Sequence, residues 1–241
     1  VAAGVVPIEN VVGGGVREVY DLRLDTEATV GGEGIVPVRL CLAALPGETI
    51  ESSERVYSHS QALTQAGPFL RSRSWTLLAA TNTAGAGRAI REGDERGSAA
   101  VLSPRAAEIH GLEVLAVDIQ AERRNRTRFL VLAMPATEGL PMPASAQPDG
   151  GRRSAMAFSV RNEPGTLVRA LGVIADHHIN MTKLESRPSR EGTWEYVFWV
   201  DVDSDVCDEG GPGAAFLDDL RSVCVWVRVM GCYPRCVEPD I

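Results

Sequence analysis

The chain has 241 residues, of which 44% are hydrophobic and 23% are charged, and its formal net charge at pH 7 is −8. This negative charge argues against a nucleic acid or an anionic membrane as a partner, because both are bound by basic surfaces. No apolar run approaches the roughly 20 residues of a membrane-spanning helix, and no signal peptide is visible.

The first half of the chain alternates strand-like and helix-like segments. "HSQALTQAGPFLRS" and "TAGAGRAIREG" have helical spacing, and each follows a short β-like segment. "AAVLSPRAAEIHGLEVLAV" predicts strand, helix and strand, and "FLVLAM" (129–134) predicts a buried strand. This alternation favours an α/β layer with a largely parallel sheet.

A linker is predicted at residues 135–151. The stretch "MPATEGLPMPASAQPDGG" around it holds four prolines and three glycines and shows little apolar periodicity. It separates a first domain, residues 1–134, from a second domain, residues 152–239.

The second domain has a compact pattern of six predicted elements. In order they are the strand "SAMAFSVRN", the helix "EPGTLVRALGVIADHH", the strands "INMTKLESR" and "WEYVFWVDVD", the helix "GPGAAFLDDLRSV" and the strand "CVWVRVMGCYP". The polar segment "PSREGT" forms a turn between the two middle strands. The order βαββαβ is that of a ferredoxin-like domain.

The cysteines and histidines predict neither a metal site nor a catalytic triad. The five cysteines include no CxxC pair, and Cys232 and Cys236, with Pro234 between them, have poor spacing for zinc. Reduced thiols in an intracellular protein are therefore expected. His110, His177 and His178 are expected to be structural, and no cofactor is predicted.

A run of functional groups ends the second strand of the βαββαβ unit. The start of the preceding helix, near Gly165, suits a carboxylate, and Asn180, Glu185 and Ser186 could accept hydrogen bonds from an ammonium. An amino acid needs both kinds of partner. Residue spacing alone favours the alternative, in which Glu185 and Arg187 form a solvated ion pair.

The second half of the chain resembles a known regulatory domain. "PGTLVRAL", "INMTKLESRPSREGTWEYVFWVDVD" and "VRVMGCYPR" are similar to the ACT domain at the C-terminus of prephenate dehydratases, over Ser154 to Arg235. The resemblance implies L-phenylalanine as a feedback inhibitor, bound between paired ACT domains of a homodimer or homotetramer. The ligand residues that it implies are Gly165, Thr166, Leu167, Val168, Asn180, Glu185, Ser186 and Arg187. Thr166 replaces an alanine of the family's GALV-like segment and would crowd the ligand.

The first half carries matching motifs in the family's order. They are "GVVPIEN", "VYSHSQALTQ", "NTAGAG", "SAAVLSPRAAEIHGLEVL" and "NRTRFLVL", and they resemble the prephenate dehydratase catalytic domain. The resemblance implies a two-lobed α/β region like that of periplasmic binding proteins. It also implies a lyase reaction that converts prephenate into phenylpyruvate, CO2 and water.

The resemblance also implies roles for the motif residues. Arg128 would hold a substrate carboxylate bidentately, Thr127 would hydrogen-bond the departing oxygen, and Phe129 would pack the site. Residues expected to line the cleft between the lobes are Asn10, His59, Gln61 and Thr83. Alternatives remain from the residues alone: Phe129 as plain core, Asn10 as a turn cap, and His59 as a helix-start residue bonded to backbone.

Two departures from the family leave three interpretations open. Val11 and Val12 stand where the family has serine and a small polar residue, and the family's first strands and glycine-containing loop are absent before Val1. The favoured interpretation is a prephenate dehydratase with an incomplete first lobe. The others are an inactive phenylalanine-binding regulator and a prephenate decarboxylase. The expected compartment is the cytoplasm, or a plastid after removal of a transit peptide.

Overall fold

A computed structural model describes residues 3–134, 148–189, 195–208 and 211–237. The chain divides into two compact units, one of residues 1–36 with 127–240 and the other of residues 37–126. Among the described helices, none has both the length and the apolar character needed to cross a bilayer.

The described residues form thirteen strands and seven helices, which are numbered here along the chain. They are β1 (Ala3–Asn10), β2 (Gly14–Gly15), α1 (Arg17–Leu24), β3 (Thr29–Pro37), β4 (Cys41–Ala44), β5 (Arg55–Ser58), α2 (Ser60–Gln65), α3 (Gly67–Arg71), β6 (Thr76–Ala79), α4 (Thr83–Gly93), β7 (Ser98–Leu102), α5 (Pro104–Ile109), β8 (Glu113–Ala116), β9 (Arg126–Ala133), β10 (Pro148–Ser159), α6 (Thr166–Asp176), β11 (Met181–Pro188), β12 (Tyr196–Val202), α7 (Pro212–Val223) and β13 (Trp226–Cys236).

The second half of the chain forms the predicted βαββαβ unit. Its sheet has the order β11-β12-β10-β13, and all neighbouring strands are antiparallel. Strand β10 begins at Pro148, so it overlaps the last four residues of the predicted linker, and residues 135–147 lie outside the described residues. Most of the predicted turn, residues 190–193, also lies outside them.

Strand β10 is buried on both faces and so joins two cores. Met156 and Phe158 pack in one cluster with residues of α6 and α7. Ala155 and Ala157 belong to a second cluster, which contains Ile8 of β1 and several residues from both halves of the chain: Tyr20, Val30, Leu130, Val197, Trp199, Met230 and Tyr233. The open face of the ferredoxin-like sheet is therefore covered by β1, α1, β3 and β9.

These covering elements include a four-stranded sheet with the order β2-β1-β9-β3. Strands β1 and β9 are antiparallel, and their pairing extends from Ala3 opposite Ala133 to Asn10 opposite Thr127. The register shifts between Pro7 and Glu9, as at a β-bulge. Pairing of β1 with β9 thus brings the "PIEN" and "TRF" motifs side by side.

The other unit is a five-stranded sheet with helices on both faces. The strand order is β6-β5-β7-β4-β8. Strand β5 is parallel to β6 and β7, but β4 is antiparallel to β7 and β8. The prediction of a largely parallel sheet was therefore wrong for the pairings of β4 with β7 and β8. Helices α2 and α3 pack in the core on one face, and α4 and α5 in the core on the other.

One cysteine pair contradicts the expected set of reduced thiols. Cys207 and Cys232 form a disulfide with a Cα–Cα distance of 6.1 Å. Of the three others, Cys41 and Cys236 are buried and Cys224 is partly exposed. The pair was missed because the two residues are 25 positions apart and meet only when β13 returns beside β10.

Candidate active site and ligand pocket

Asn10 and Thr127 form the centre of the candidate active site. Asn10 Nδ2 donates a hydrogen bond to Thr127 Oγ1 over 3.0 Å. Asn10 Oδ1 accepts from the backbone N–H groups of Val12 and Gly13, at 3.1 and 2.7 Å. These bonds fix the orientation of the amide. Because the Thr127 oxygen accepts from Asn10, its own hydrogen is the one that it can donate to a bound molecule.

Arg128, the next residue along β9, lies in a buried ion-pair cluster and is 8% exposed. Its Nε, Nη1 and Nη2 atoms contact carboxylates of Glu33, Glu9 and Asp201, at 2.8, 2.9 and 2.6 Å respectively. Nη2 also donates to the Tyr233 hydroxyl over 3.0 Å. Burial lowers the pKa of Arg128, but Asp201, Tyr233 and the two glutamates raise it well above its usual value. The guanidinium is therefore always charged.

A second arginine completes this cluster. Arg153 Nη1 lies 3.1 Å from Glu33 Oε2, and the Glu33 side chain is fully buried. Two guanidinium groups on one carboxylate supply the partners that a buried anion requires. We call the set Arg128, Arg153, Glu9, Glu33 and Asp201 the Arg128 cluster.

This geometry does not support the substrate-binding role predicted for Arg128. A bidentate grip needs two guanidinium nitrogens on one ligand carboxylate, whereas all three nitrogens here already contact carboxylates of the protein. The cluster instead gives Arg128 a structural role between β1, β3, β9 and β12. Phe129 is half-buried and lies opposite Pro7.

Glu9 makes the stability of this cluster dependent on pH. Burial raises the pKa of Glu9, but Lys183 and Arg128 lower it further than burial raises it, so it lies below the ordinary value of 4.5. A carboxyl group with a depressed pKa stabilises the fold above its unfolded-state pKa, and this stabilisation is lost as the pH falls through the folded-state pKa.

We therefore expect Glu9→Gln to destabilise the protein at pH 7 but hardly at all at strongly acidic pH, where Glu9 is itself protonated. Urea unfolding of both proteins between pH 7 and pH 3 measures this. The difference in free energy of unfolding should shrink as the pH falls below about 4.5. A difference that is constant over this range would contradict the assigned ion pairs of Glu9.

The other predicted substrate residues lie in the five-stranded unit, at helix starts. His59 caps α2, since its Nδ1 accepts from the backbone N–H of Gln61 at 3.3 Å. The proton of a neutral ring is then on Nε2, where it can be donated. Gln61 is exposed, and Thr83 is the half-buried first residue of α4.

Three helices of this unit begin at one edge of its sheet. Because β5 is parallel to β6 and β7, the carboxyl ends of these strands lie at the same edge. Helices α2, α4 and α5 follow these strands, and their first turns are capped by His59, Asn82 and Ser103. Helix starts attract anions, and ligands of open α/β sheets bind at this edge. The edge therefore fits a carboxylate ligand.

A separate cavity of about 180 Å³ lies at the start of α6. Among its lining residues are Tyr196, Phe198 and the four predicted residues of the "GTLV" segment, Gly165, Thr166, Leu167 and Val168. Gly165 has a φ of +83°, a left-handed conformation that favours glycine. Thr166 Oγ1 lies 2.6 and 2.9 Å from the carbonyl oxygens of Arg161 and Glu163, so its hydroxyl is bonded within the preceding loop. We call this cavity the α6 pocket.

Strand alternation separates the predicted residues of β11. Ser186 stands opposite Phe198, which lines the α6 pocket, and so shares its face of the sheet. Glu185 and Arg187 point to the other face, where Arg187 Nη2 contacts Asp21 of α1 at 2.9 Å.

Asn180 immediately precedes β11 and lies roughly 20 Å from Ser186 at 3.3 Å per residue. Its Nδ2 donates to Asp203 over 3.4 Å. Of the eight predicted ligand residues, the four of the "GTLV" segment line the α6 pocket, and Ser186 lies on the same face of the sheet as this pocket.

Comparison with known proteins matches both halves of the chain. A family model for prephenate dehydratase matches residues 1–137, and one for the ACT domain matches residues 156–206. The bifunctional chorismate mutase/prephenate dehydratase of Aquifex aeolicus is 37% identical over 234 residues, which are 96% of this chain and 61% of that protein. The chain thus spans about 60% of the length of the curated relatives that it matches.

Two solved structures have the same fold, each with a TM-score of 0.82 and 28% identity. One is the prephenate dehydratase of Arthrobacter aurescens in complex with L-Phe, and 97% of this chain aligns with 75% of it. The other is GqqA, described as a quorum quenching acylase, and 97% of this chain aligns with 82% of it. These matches confirm the predicted fold class, a catalytic region like a periplasmic binding protein followed by a ferredoxin-like ACT domain.

Proposed function

The chain belongs to the prephenate dehydratase family, and on this basis we propose that it converts prephenate into phenylpyruvate, CO2 and water. The observation that carries the proposal is the hydrogen-bonded pair of Asn10 and Thr127. It brings together two motifs of the family resemblance that are far apart in sequence.

Thr127 would assist the departure of the ring hydroxyl. Loss of CO2 releases an electron pair into the ring, the C–O bond breaks, and the departing hydroxide takes a proton from solvent to become water. Aromatisation drives the reaction. The departing oxygen gains negative charge, and the Thr127 hydroxyl would donate a hydrogen bond to it. Asn10 would keep that hydroxyl oriented, because Asn10 Nδ2 donates a hydrogen bond to the hydroxyl oxygen. Aligning the donor before reaction is what makes such stabilisation effective.

Within the five-stranded unit, the sheet edge where α4 begins suits a carboxylate, because Thr83 offers a hydroxyl there and the helix start attracts anions. His59, Gln61 and Thr83 therefore stay proposed substrate residues.

The proposal is tested by incubating the purified chain with prephenate and identifying the product. Formation of phenylpyruvate above the rate of a protein-free control supports the dehydratase. Saturable L-phenylalanine binding without turnover supports the inactive regulator. Release of CO2 without an aromatic product supports the decarboxylase.

We further propose that L-phenylalanine binds in the α6 pocket and inhibits the reaction. The support is the ACT domain match and the complex of the Arthrobacter aurescens enzyme with L-Phe. The pocket is apolar where Leu167, Val168 and Phe198 line it, which suits a benzyl side chain. The start of α6 suits the ligand carboxylate.

We expect Ser186→Ala to weaken L-phenylalanine binding about 5-fold, the equivalent of one lost neutral hydrogen bond. Glu185→Gln is the matched control, because Glu185 is adjacent in sequence but on the other face of the sheet. Its dissociation constant should stay within about 2-fold of the parent. Calorimetric titration of the three proteins decides this. Binding that is weakened by Glu185→Gln but not by Ser186→Ala would place the ligand elsewhere.

Assembly through paired ACT domains is part of the same proposal. Val168, which lines the α6 pocket, is 71% exposed. Strand β11 is an edge strand of its sheet. Both features suit contact with a second copy. Light scattering should give at least a dimer. The predicted cytoplasmic or plastid compartment remains a prediction.

A further inference from the structure

Lys183 is the single lysine among the 24 lysine and arginine residues of the chain. It lies on β11, between the two halves of the first structural unit, and its side chain is 10% exposed. Its Nζ contacts Glu9 Oε2 and lies 5.3 Å from the centre of the Tyr20 ring. The proposed reaction and the proposed ligand pocket do not use this residue.

We propose that Lys183 is a positioning residue, which couples occupation of the α6 pocket to the geometry of the Asn10–Thr127 pair through Glu9. This inference rests on the proposed function, since it concerns how the ACT domain acts on the dehydration site.

The first step of the coupling is strand β11 itself. Ser186 lies on the face of the sheet that carries the α6 pocket, and Lys183, three residues earlier, lies on the opposite face with Glu185 and Arg187. The distance between them along the strand is only about 10 Å. A ligand that displaces or twists β11 at Ser186 therefore moves Lys183 on the other face.

The second step is the shared carboxylate of Glu9. Its Oε2 contacts Lys183, and its Oε1 lies 2.9 Å from Arg128 Nη1. Glu9 stands opposite Arg128 in the β1–β9 pairing, and the next pair in register is Asn10 opposite Thr127. Movement of Lys183 would thus change the position of Glu9, one residue from the amide that orients the Thr127 hydroxyl.

A register shift lies just before this point of β1. The pairing of β1 with β9 is irregular between Pro7 and Glu9, so the ladder is interrupted immediately before the paired residues Glu9 and Asn10. A second ion pair, between Arg187 and Asp21, connects the same face of β11 with α1. Lys183 is the attachment that leads directly to the reaction centre.

The test compares binding of L-phenylalanine with its effect on the rate, in the full chain. Lys183→Met keeps most of the side-chain volume but removes the charge. We expect its dissociation constant for L-phenylalanine to stay within about 3-fold of the parent, while inhibition of phenylpyruvate formation at saturating ligand falls by at least about 10-fold. Arg221→Met is the control, because Arg221 is exposed on α7 of the same domain and pairs locally with Asp218. It should keep both properties.

A double-mutant cycle with Glu9→Gln identifies the route. If Lys183 acts through Glu9, the two single variants and the double variant should lose inhibition to the same extent. Additive losses would show that Lys183 acts by another route and would overturn the proposal. Unchanged inhibition in Lys183→Met, in a parent protein that is active and inhibited, would overturn the coupling while leaving the proposed function intact.

The single lysine allows a measurement that does not need activity or a stable variant. An amine-reactive ester labels only Lys183 and the N-terminal amine, and mass spectrometry separates the two peptides. The amine of free L-phenylalanine also consumes the ester, so the labelling of Lys183 is measured relative to that of the N-terminus in the same sample. In the native protein, we expect L-phenylalanine to change this ratio several-fold. If saturating L-phenylalanine, shown by calorimetry to bind, leaves the ratio unchanged, the coupling is refuted. Absence of binding would instead refute the proposed ligand.

Discussion

Thr127→Ala is expected to lower kcat for the dehydration of prephenate by about 100- to 1000-fold, the range for loss of one preorganised donor to a developing oxyanion. KM should change little, because the bond to the departing oxygen strengthens only as charge develops. The substitution removes the hydroxyl that accepts from Asn10 Nδ2. Initial rates over a range of prephenate concentrations measure both parameters.

Two further variants serve as controls for this result. Thr127→Ser keeps the hydroxyl and should retain most of the activity. Asn10→Ala leaves the hydroxyl in place but removes its orienting partner, so kcat should lie between those of Thr127→Ser and Thr127→Ala. Full activity in Thr127→Ala would contradict the assigned role of the hydroxyl.

Arg128→Met is expected to reduce the free energy of unfolding by about 3–5 kcal/mol, the usual cost of removing one partner from a buried ion pair. The substitution would leave Glu33, which is fully buried, with Arg153 as its remaining guanidinium partner. Asp201 and Glu9 would also each lose a contact. Urea unfolding at pH 7 measures this change.

A second substitution distinguishes loss of the charge from loss of packing. Glu33→Gln removes one of the buried negative charges, so the double variant Arg128→Met/Glu33→Gln should be less destabilised than the sum of the two single variants. Arg88→Met, at an exposed pair with Glu92 on α4, should change stability by less than about 0.5 kcal/mol. An unchanged stability of Arg128→Met with a raised KM for prephenate would restore the substrate-binding role expected from the sequence.

Local patterns in the sequence predicted most of the elements correctly. The helical spacing of "TAGAGRAIREG" corresponds to α4, and the strand at the start of "AAVLSPRAAEIHGLEVLAV" and the strand "FLVLAM" correspond to β7 and β9. These elements are marked by the regular spacing of apolar residues and by helix caps. One such cap is Asn82, whose Oδ1 accepts a hydrogen bond from the N–H of Gly85. Such signals lie within a few residues of one another, so they can be read from sequence.

The partners of Arg128 could not be predicted in this way. They lie on strands 95 and 119 residues away, at Glu33 and Glu9, and on β12 of the second half, at Asp201. Only the packing of two sheets against one core brings them together. A single arginine in the "TRF" motif looks the same whether its guanidinium faces a ligand or three carboxylates of the protein.

The "ESR" run shows what the alternation of side chains along a strand can and cannot predict. The two-residue period of a strand implies that Ser186 and its neighbours face opposite sides. It does not reveal that Arg187 meets Asp21 on α1, because that contact depends on how the two halves of the chain pack. The signal that could have drawn attention to the buried face is compositional: Lys183 is the only lysine of the chain.

The most direct test of the proposed function is a single-turnover reaction with the chain in excess over prephenate at pH 8. With protein in excess, even slow turnover consumes all the substrate, and the phenylpyruvate formed is measured against a protein-free control and against Thr127→Ala. We predict stoichiometric phenylpyruvate and CO2, formed more slowly when L-phenylalanine is present. Quantitative recovery of unchanged prephenate from a folded protein that binds L-phenylalanine would contradict the proposed function.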